Sequence, residues 1–304
     1  ISFLIRSQPA EYGLELNEFD PFFNLRATEY IIENGLDEYF QWHDDKSWYL
    51  PPGIDNNGSP IIGGRDISAT SQVMLHTTTA FTYEIFGSNL SLYDYTVLFP
   101  AIIGSLTVIV IFGLVRVIGG TFAGLIASLL FAVSLPVIIR GTIGWFKSEP
   151  LGLFYGLLGL YLFLSAINSE NKKIAIVKIT FGALVMSCAL SSWGGNQFFI
   201  IPIGLFILAL PFVHKDHKFL LYCIPLFVGS FLLSSLLFER TAFGFVFGLG
   251  GIVLIVPTIF LILCIFVQKI SKNRHKTRNG LILLFAIILI GSFVVTINEE
   301  LNLL

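Results

Sequence analysis

Charged residues are scarce in this chain, in which aspartate, glutamate, lysine and arginine together make up 12% of the 304 residues. Soluble domains carry about twice that share, roughly a quarter of their residues. Hydrophobic residues account for 55% of the sequence, and the mean hydropathy is +0.80. Because so few charges cannot cover a water-exposed surface of this size, the composition excludes an ordinary soluble domain and predicts a polytopic membrane protein.

Cysteine is also rare, and its placement excludes two kinds of site. The three cysteines, Cys188, Cys223 and Cys264, lie far apart inside apolar runs. Such spacing predicts neither a zinc site nor a disulfide framework. The basic residues form no stripe, so no nucleic-acid partner is expected.

Long apolar segments follow one another from residue 95 onward, and residues 95–304 therefore predict a transmembrane bundle of about eight helices. A helix needs about 20 residues to cross the hydrocarbon core, and most of these segments reach that length. The predicted spans cover residues 95–115, 119–139, 150–167, 174–192, 196–213, 219–238, 243–267 and 280–297.

The N-terminal part is organised differently. Residues 1–5 have the composition of the end of an earlier span, so we expect that the chain begins inside a longer protein. Residues 6–94 are hydrophilic and predict a large first loop with amphipathic helices at about 21–34 and 68–86. The whole chain therefore predicts an all-α membrane protein with one large loop.

Basic residues predict which ends of the spans face the cytoplasm. If residues 6–94 lie outside, 11 of the 18 basic residues fall in the short inner loops, among them Lys172 and Arg278. Only two acids, Glu170 and Asp216, fall there with them. This excess of lysine and arginine predicts that the large loop lies on the external or lumenal face. The remaining carboxylates then lie on the outer face of the membrane, and we expect the catalytic chemistry on that face.

The first candidate segment is residues 17–28, where Asp20 precedes Pro21 among aromatic residues. An aspartate can cap a helix, and proline suits the first helical turn. A capping carboxylate keeps one free oxygen, so capping and ligand binding are both open for Asp20.

The second candidate segment, residues 139–150, carries Arg140, Lys147 and Glu149 beside predicted spans. Ionisable groups at a membrane are costly and often functional. A simpler interpretation is that Arg140 extends to the interface and Ser148 caps the next helix. If the external carboxylates of both segments meet, they can share a hard cation such as Mg²⁺ or Mn²⁺.

Five stretches of the sequence form an ordered series: residues 18–28, a loop stretch made up of 44–49 and 61–64, residues 140–149, and turns at 192–195 and 239–244. In this order they resemble motifs of the catalytic subunit of oligosaccharyltransferase, the membrane enzyme of N-glycosylation, with 18–28 as its first acidic motif and 140–149 as its second. The resemblance implies a GT-C-type glycosyltransferase fold, with a cavity open to lipid and to the outer aqueous phase.

The resemblance also implies a mechanism and its residues. It implies Mn²⁺ or Mg²⁺ held by the catalytic acids Asp20 and Glu149 and by a later glutamate, for which Glu299 is the candidate. Donor and acceptor would be a lipid-linked oligosaccharide on dolichyl phosphate or pyrophosphate and a polypeptide containing Asn-x-Ser/Thr. The implied substrate contacts are Arg140, Lys147 and Trp193. Membrane lipids are a further expected partner.

This sequence departs from the family pattern at two points. Lys147 stands where the second acidic motif has its first acid, and an inactive relative is therefore one alternative. The acceptor motif Trp-Trp-Asp-Tyr-Gly is absent, so we expect the final spans and a soluble domain beyond this chain.

Two other functions are open alternatives. The resemblance also predicts which cellular membrane holds the protein. One is a different GT-C transferase, such as a protein O-mannosyltransferase. The other is a scaffold or transporter, although a transporter would carry ionisable residues near the bilayer midplane. We expect the plasma membrane of an archaeon, or the endoplasmic reticulum of a eukaryote.

Overall fold

Helices make up most of the computed structural model, which describes residues 1–47, 52–54, 60–87, 89–241, 243–271 and 275–297. Two small antiparallel ribbons are the β-structure within these residues. They pair β1 (His43–Asp44) with β4 (Arg65–Asp66), and β2 (Gly53–Ile54) with β3 (Pro60–Ile61). The all-α membrane fold predicted from composition is confirmed.

Short helices form a layer that precedes the bundle. They are α1 (Ser2–Arg6), a 3-10 turn (Gln8–Tyr12), α2 (Asp20–Asn34), α3 (Leu36–Phe40), α4 (Ile67–Thr70) and α5 (Val73–Phe86). The single helix predicted at 68–86 is wrong, because the backbone is extended at Ser71 and divides it into α4 and α5. The Ser71 carbonyl accepts a hydrogen bond of 3.2 Å from Arg240 Nη1, which ties the break to a later turn.

Long apolar helices form the bundle. They are α6 (Leu92–Val133), α8 (Ser148–Ile167), α9 (Lys172–Ser192), α10 (Gln197–Val213), α11 (His217–Ser235), α13 (Leu249–Ile270) and α14 (Lys276–Ile297). Short helices α7 (Leu135–Ile139) and α12 (Phe243–Val246) and 3-10 turns at Gly194–Asn196 and Glu239–Thr241 connect them. Within the described residues, six helices are long and apolar enough to cross a membrane.

Helix α6 doubles back on itself. Its backbone leaves helical geometry at Gly120, where φ is +83° and ψ is 177°. A Cβ atom on Gly124 would lie 2.9 Å from the carbonyl oxygen of Phe112, so the two arms are packed closely together. Glycine permits both the positive φ and the close approach. The arms correspond to the spans predicted at 95–115 and 119–139.

The bundle packs through small and aromatic residues. A Cβ on Gly159 of α8 would lie 3.1 Å from the carbonyl oxygen of Gly182 on α9, an approach of the kind that membrane helices use. Phe163, Phe227 and Phe231 are fully buried in the main core. Other large apolar side chains point outward from the helices, as expected where lipid is the solvent.

The two ends of the bundle differ in what they carry. At one end Lys172 Nζ lies 2.6 Å from Asp216 Oδ2, joining the start of α9 to the start of α11. The opposite end of α9 leads into Trp193, beside the start of α8 and the layer of short helices. Both candidate segments of the sequence analysis therefore lie at this second end.

Candidate functional site

The second acidic segment forms a tight turn before α8. Gly144 has a φ of +77°, and a Cβ there would lie 2.2 Å from the carbonyl oxygen of Glu15, so a side chain is excluded. Lys147 has extended backbone geometry and immediately precedes α8, whose first residue is Ser148. The Ser148 side chain makes no capping hydrogen bond. The cap interpretation of Ser148 is wrong, because the residue already lies inside the helix.

Asp20 begins α2 and does not cap it. Phe19 before it already has helical geometry, with φ −85° and ψ −38°, and no side chain caps this helix end. The capping interpretation of Asp20 is therefore wrong. Its carboxylate lies instead 3.0 Å from Lys147 Nζ.

Hydrogen bonds join the two segments directly. The backbone N–H of Asn17 donates to the Gly144 carbonyl at 3.0 Å. The Asn17 amide donates to the Ile143 carbonyl at 3.2 Å, and the Asn24 amide donates to the Phe146 carbonyl at 2.9 Å. These bonds satisfy buried backbone carbonyls and hold the start of α2 against the start of α8.

A buried histidine fixes the orientation of Asn24. The Asn24 amide nitrogen donates to Phe146, so its oxygen must accept from His76 Nε2, 2.9 Å away. The other ring nitrogen then accepts from the Tyr39 hydroxyl at 2.6 Å. Burial, and secondly the positive charge of Arg65, lower the pKa of His76 to about 3. The ring is therefore neutral, as this hydrogen-bond pattern requires.

Acid is expected to destabilise the protein through His76. The unfolded chain binds a proton near pH 6.5 and the folded ring only near pH 3, so stability is complete above pH 6.5 and falls as the pH is lowered. The expected slope is at most about 1.4 kcal/mol per pH unit. Unfolding in detergent across this range measures it. In His76→Gln, which keeps a donor but cannot titrate, this component of the slope should vanish; parallel profiles for the two proteins would contradict the assignment.

A polar pocket of about 170 Å³ lies between the two segments. Lys147 Nζ lies in it, 2.5 Å from Glu18 Oε2 and 3.0 Å from Asp20 Oδ2. The Lys147 side chain is only 13% exposed, whereas that of Asp20 is 73% exposed. The pocket is lined by Asp20, Phe23, Asn24, Arg65, Gln72, Lys147, Ser148 and Glu149.

Lys147 is held as a cation. Partial burial lowers its pKa, but hydrogen bonds to Glu18 and Asp20 raise it, and the net result is a pKa above the ordinary value for lysine. Its Nζ also lies 4.6 Å from the ring centroid of Trp145, at cation–π distance. The side chain therefore points into the acidic pocket rather than away to solvent.

Glu149 has one engaged oxygen and one free oxygen. Arg140 Nη1 donates to Glu149 Oε1 at 2.7 Å, so Arg140 does not simply extend into the interface. Glu149 Oε2 is buried and has no hydrogen-bond partner among the described residues. An unpaired buried carboxylate oxygen is costly, which makes it a candidate to receive a substrate hydrogen bond.

An apolar cavity of about 340 Å³ opens on the other side of Glu149. Arg140 and Glu149 supply its charged groups, and Trp193 lines it beside Pro150. Leu153, Val137 and Phe131 provide apolar walls. Glu149 thus lines both the apolar cavity and the polar pocket.

The structure brings most predicted site residues together and adds three that the sequence analysis missed. Asp20, Lys147 and Glu149 share the polar pocket, while Arg140 and Trp193 line the apolar cavity with Glu149. Glu299 lies outside the described residues. Among the residues missed, Glu18 stands in the first acidic motif but was not selected, and Arg65 and His76 carried no motif signal.

The described residues of this site do not form a ligand set for a divalent metal. Mg²⁺ and Mn²⁺ prefer several oxygen ligands around one point. Among the described residues, no three aspartate, glutamate, histidine or cysteine side chains cluster as a metal site. Glu149 has a free oxygen, but the ammonium group of Lys147 binds Asp20 and would repel the ion.

The helical membrane fold, with acidic loop segments meeting above an apolar cavity, defines a GT-C-type glycosyltransferase domain. The chain belongs to the STT3 family of oligosaccharyltransferases, because the family model described as "Oligosaccharyl transferase STT3, N-terminal" matches residues 10–302. The predicted family is confirmed.

Curated relatives agree with this membership. The chain is 31% identical over 202 residues to the dolichyl-diphosphooligosaccharide–protein glycosyltransferase subunit STT3B of Arabidopsis thaliana, covering 66% of this chain and 25% of that protein. It is 28% identical over 237 residues to the STT3A subunit of Oryza sativa, covering 74% and 27% respectively. The chain thus spans about a quarter of the length of these relatives.

Solved structures of the oligosaccharyltransferase of Archaeoglobus fulgidus, AglB, share the fold. The complex with an inhibitory peptide and a dolichol-phosphate has a TM-score of 0.71 at 17% identity, covering 99% of this chain and 36% of AglB. The complex with Zn and sulfate has a TM-score of 0.68 at 19% identity, covering 99% and 39%. A third structure is tethered to an acceptor peptide containing the NVT sequon, with a TM-score of 0.66 at 17% identity, covering 97% and 37%.

Proposed function

We propose that this protein takes part in transferring an oligosaccharide from a dolichyl phosphate or pyrophosphate donor to the asparagine of Asn-x-Ser/Thr sequons. The observation that carries the proposal is the position of Glu149, which lines an apolar cavity on one side and a polar pocket on the other. A lipid-linked donor and a polar acceptor have to meet at such a boundary.

The apolar cavity suits the lipid of the donor. Its apolar walls can bury isoprenoid carbons, and Arg140 at its charged end can bind a phosphate oxygen through charge-assisted hydrogen bonds. The dolichol-phosphate in an AglB structure supports this class of donor.

The polar pocket suits the acceptor amide. The nitrogen forms a bond to the anomeric carbon of the sugar, while the bond from that carbon to the phosphate oxygen breaks and its electron pair leaves with the phosphate. The nitrogen loses one proton, for which the carboxylates of Glu149 and Asp20 are the proposed bases. Hydrogen bonds from the amide to these carboxylates would weaken the delocalisation of its lone pair. The NVT peptide in an AglB structure supports this class of acceptor.

Mn²⁺ or Mg²⁺ is not part of this proposal, although both were expected from the resemblance. The Zn and sulfate complex of AglB supports a metal in that relative. In this chain the ammonium group of Lys147 binds the expected ligand Asp20. The family match argues against an O-mannosyltransferase and against a transporter. The assay below tests whether the protein is instead a catalytically inactive relative.

The membrane position is part of the same proposal. The six apolar helices found in the described part of the chain, together with the family, support a multi-pass integral membrane protein. We propose that the first loop faces the external or lumenal side, because the inner loops hold most of the basic residues. Reagents that label only external cysteines test this in variants with one cysteine at Glu33 or at Glu170. The plasma membrane of an archaeon and the endoplasmic reticulum both fit, since the relatives include plant proteins and the solved structures an archaeal one.

Transfer from native lipid-linked oligosaccharide to an Asn-x-Thr peptide tests the function, using the full natural polypeptide that contains these residues. We expect glycosylated peptide from the asparagine sequence and none from a matched Gln-x-Thr peptide. If native donor and peptide give no product, with or without added divalent ions, this proposal is wrong and the protein is a catalytically inactive relative.

Arg140→Gln is expected to raise the KM for the lipid donor by about tenfold, because a charge-assisted hydrogen bond contributes about 1.5–3 kcal/mol. The KM for the peptide should change little. Arg116→Gln, at the other end of the bundle, is the matched control and should resemble the wild type. An unchanged donor KM in Arg140→Gln would contradict the role of Arg140.

A further inference from the structure

The cation between the two acidic segments is part of the chain itself. Lys147 Nζ lies 2.5 Å from Glu18 Oε2 and 3.0 Å from Asp20 Oδ2, in the pocket that Glu149 also lines. The resemblance described in the sequence analysis predicts Mn²⁺ or Mg²⁺ in this region. We propose that the Lys147 ammonium group takes the place of the divalent ion, so that transfer by this protein needs no added divalent metal.

The surroundings hold the ammonium group in this position. Trp145 supports it at 4.6 Å from the ring centroid. Glu18 has a φ of +70°, a conformation that is unusual for glutamate, and its carboxylate meets Lys147. Such strain persists where the surrounding structure enforces it and is common at functional sites. An incidental surface ion pair would need neither the strained partner nor the largely buried lysine.

The charges of the pocket are already balanced. Glu18 and Asp20 face Lys147, and Glu149 faces Arg140. Arg65 also lines the pocket, so three cations offset the three carboxylates. A divalent ion beside Asp20 would have to displace the ammonium group or lie next to it. Both are unfavourable, because like charges at contact distance repel strongly in a partly buried site.

The ammonium group has the capacity to do the work of the ion. Lysine carries three N–H donors, and Glu18 and Asp20 use two of them. The third can bind the phosphate oxygen that receives the electron pair when the bond to the anomeric carbon breaks. The proton from the asparagine nitrogen goes to a carboxylate, as in the proposed function on which this inference rests. A tethered single charge thus offsets the charge that develops on the leaving group.

Metal binding and transfer are measured together on the full natural polypeptide. Wild type is expected to show no Mn²⁺ binding by electron paramagnetic resonance, and EDTA should change its transfer by less than about twofold. Lys147→Met keeps most of the length of the side chain without the charge, and its transfer should fall about 100-fold. Lys147→Asp restores the acid of the family motif and should bind Mn²⁺, with transfer that now depends on it. Lys173→Met, at the other end of the bundle, is the control for the substitution.

The outcomes separate this inference from the proposed function. Mn²⁺ bound by wild type, or transfer that EDTA abolishes and Mn²⁺ restores, overturns the inference and leaves the proposed function in place. Normal transfer by a folded Lys147→Met also overturns it. No transfer by wild type under any condition overturns both. If a Lys147 variant fails to fold, as judged by size exclusion, the wild-type EDTA and Mn²⁺ measurements still decide.

Discussion

Replacing Glu149 with glutamine is expected to lower glycan transfer by about 100-fold or more, in line with the loss of one charged group at a reacting centre. Glutamine keeps the size of the side chain and can still contact Arg140 through its oxygen. It removes the negative charge from Oε2, which is buried and has no hydrogen-bond partner among the described residues, in a side chain that lines both cavities. The loss should appear mainly in kcat, because the role we propose for this carboxylate is to act on the acceptor amide in the transition state.

Asp20→Asn should act in the same direction, and Glu170→Gln is the matched control. Glu170 is exposed just before α9, at the end of that helix opposite Trp193, so its substitution should leave transfer unchanged. The measurement is the initial rate of peptide glycosylation at saturating donor and peptide. The thermal unfolding midpoint of each variant is compared with that of the wild type to confirm that the variant is folded. If both Glu149→Gln and Asp20→Asn transfer normally, the carboxylates are not the catalytic groups and the mechanism fails.

Replacing Gly204 with leucine is expected to destabilise the bundle by about 1–3 kcal/mol or more, as overpacking of a well-packed core does. A Cβ on Gly204 of α10 would lie 2.4 Å from the backbone carbonyl oxygen of Val253 on α13. A backbone carbonyl cannot rotate away as a side chain can, so the helices must separate. The hydrophobic effect does not compensate for the lost contacts, because the surrounding lipid tails are as apolar as the helix side chains.

Gly229→Leu is the matched control, since no atom of the described residues lies within 4 Å of a Cβ built on Gly229 of α11. Thermal unfolding of both variants in the same detergent should show a lower midpoint for Gly204→Leu and a midpoint near wild type for Gly229→Leu. Equal midpoints would mean that α10 and α13 do not pack as closely as described.

The membrane class and the positions of most helices followed from local sequence. Apolar composition and segment length decide whether a helix resides in lipid, and both can be counted along the chain. The prediction was poorer where tertiary contacts set the backbone. Ser71 breaks a predicted helix where its carbonyl binds Arg240, and the span expected from residue 243 begins instead at Leu249, after a separate short helix.

The motifs of the sequence predict the family and five of the residues that meet at the site. The motifs around Asp20 and Glu149 carry that information in their order along the chain, without reference to distance. What these acids contact depends on tertiary packing. Lys147 turns toward Glu18 and Asp20 because Asn17 and Asn24 bind the carbonyls of the second segment, and a neutral histidine buried beneath α2 orients Asn24. The contacts of Asn17 and Asn24 with the second segment join residues more than 100 positions apart. No local pattern encodes the direction in which a lysine points.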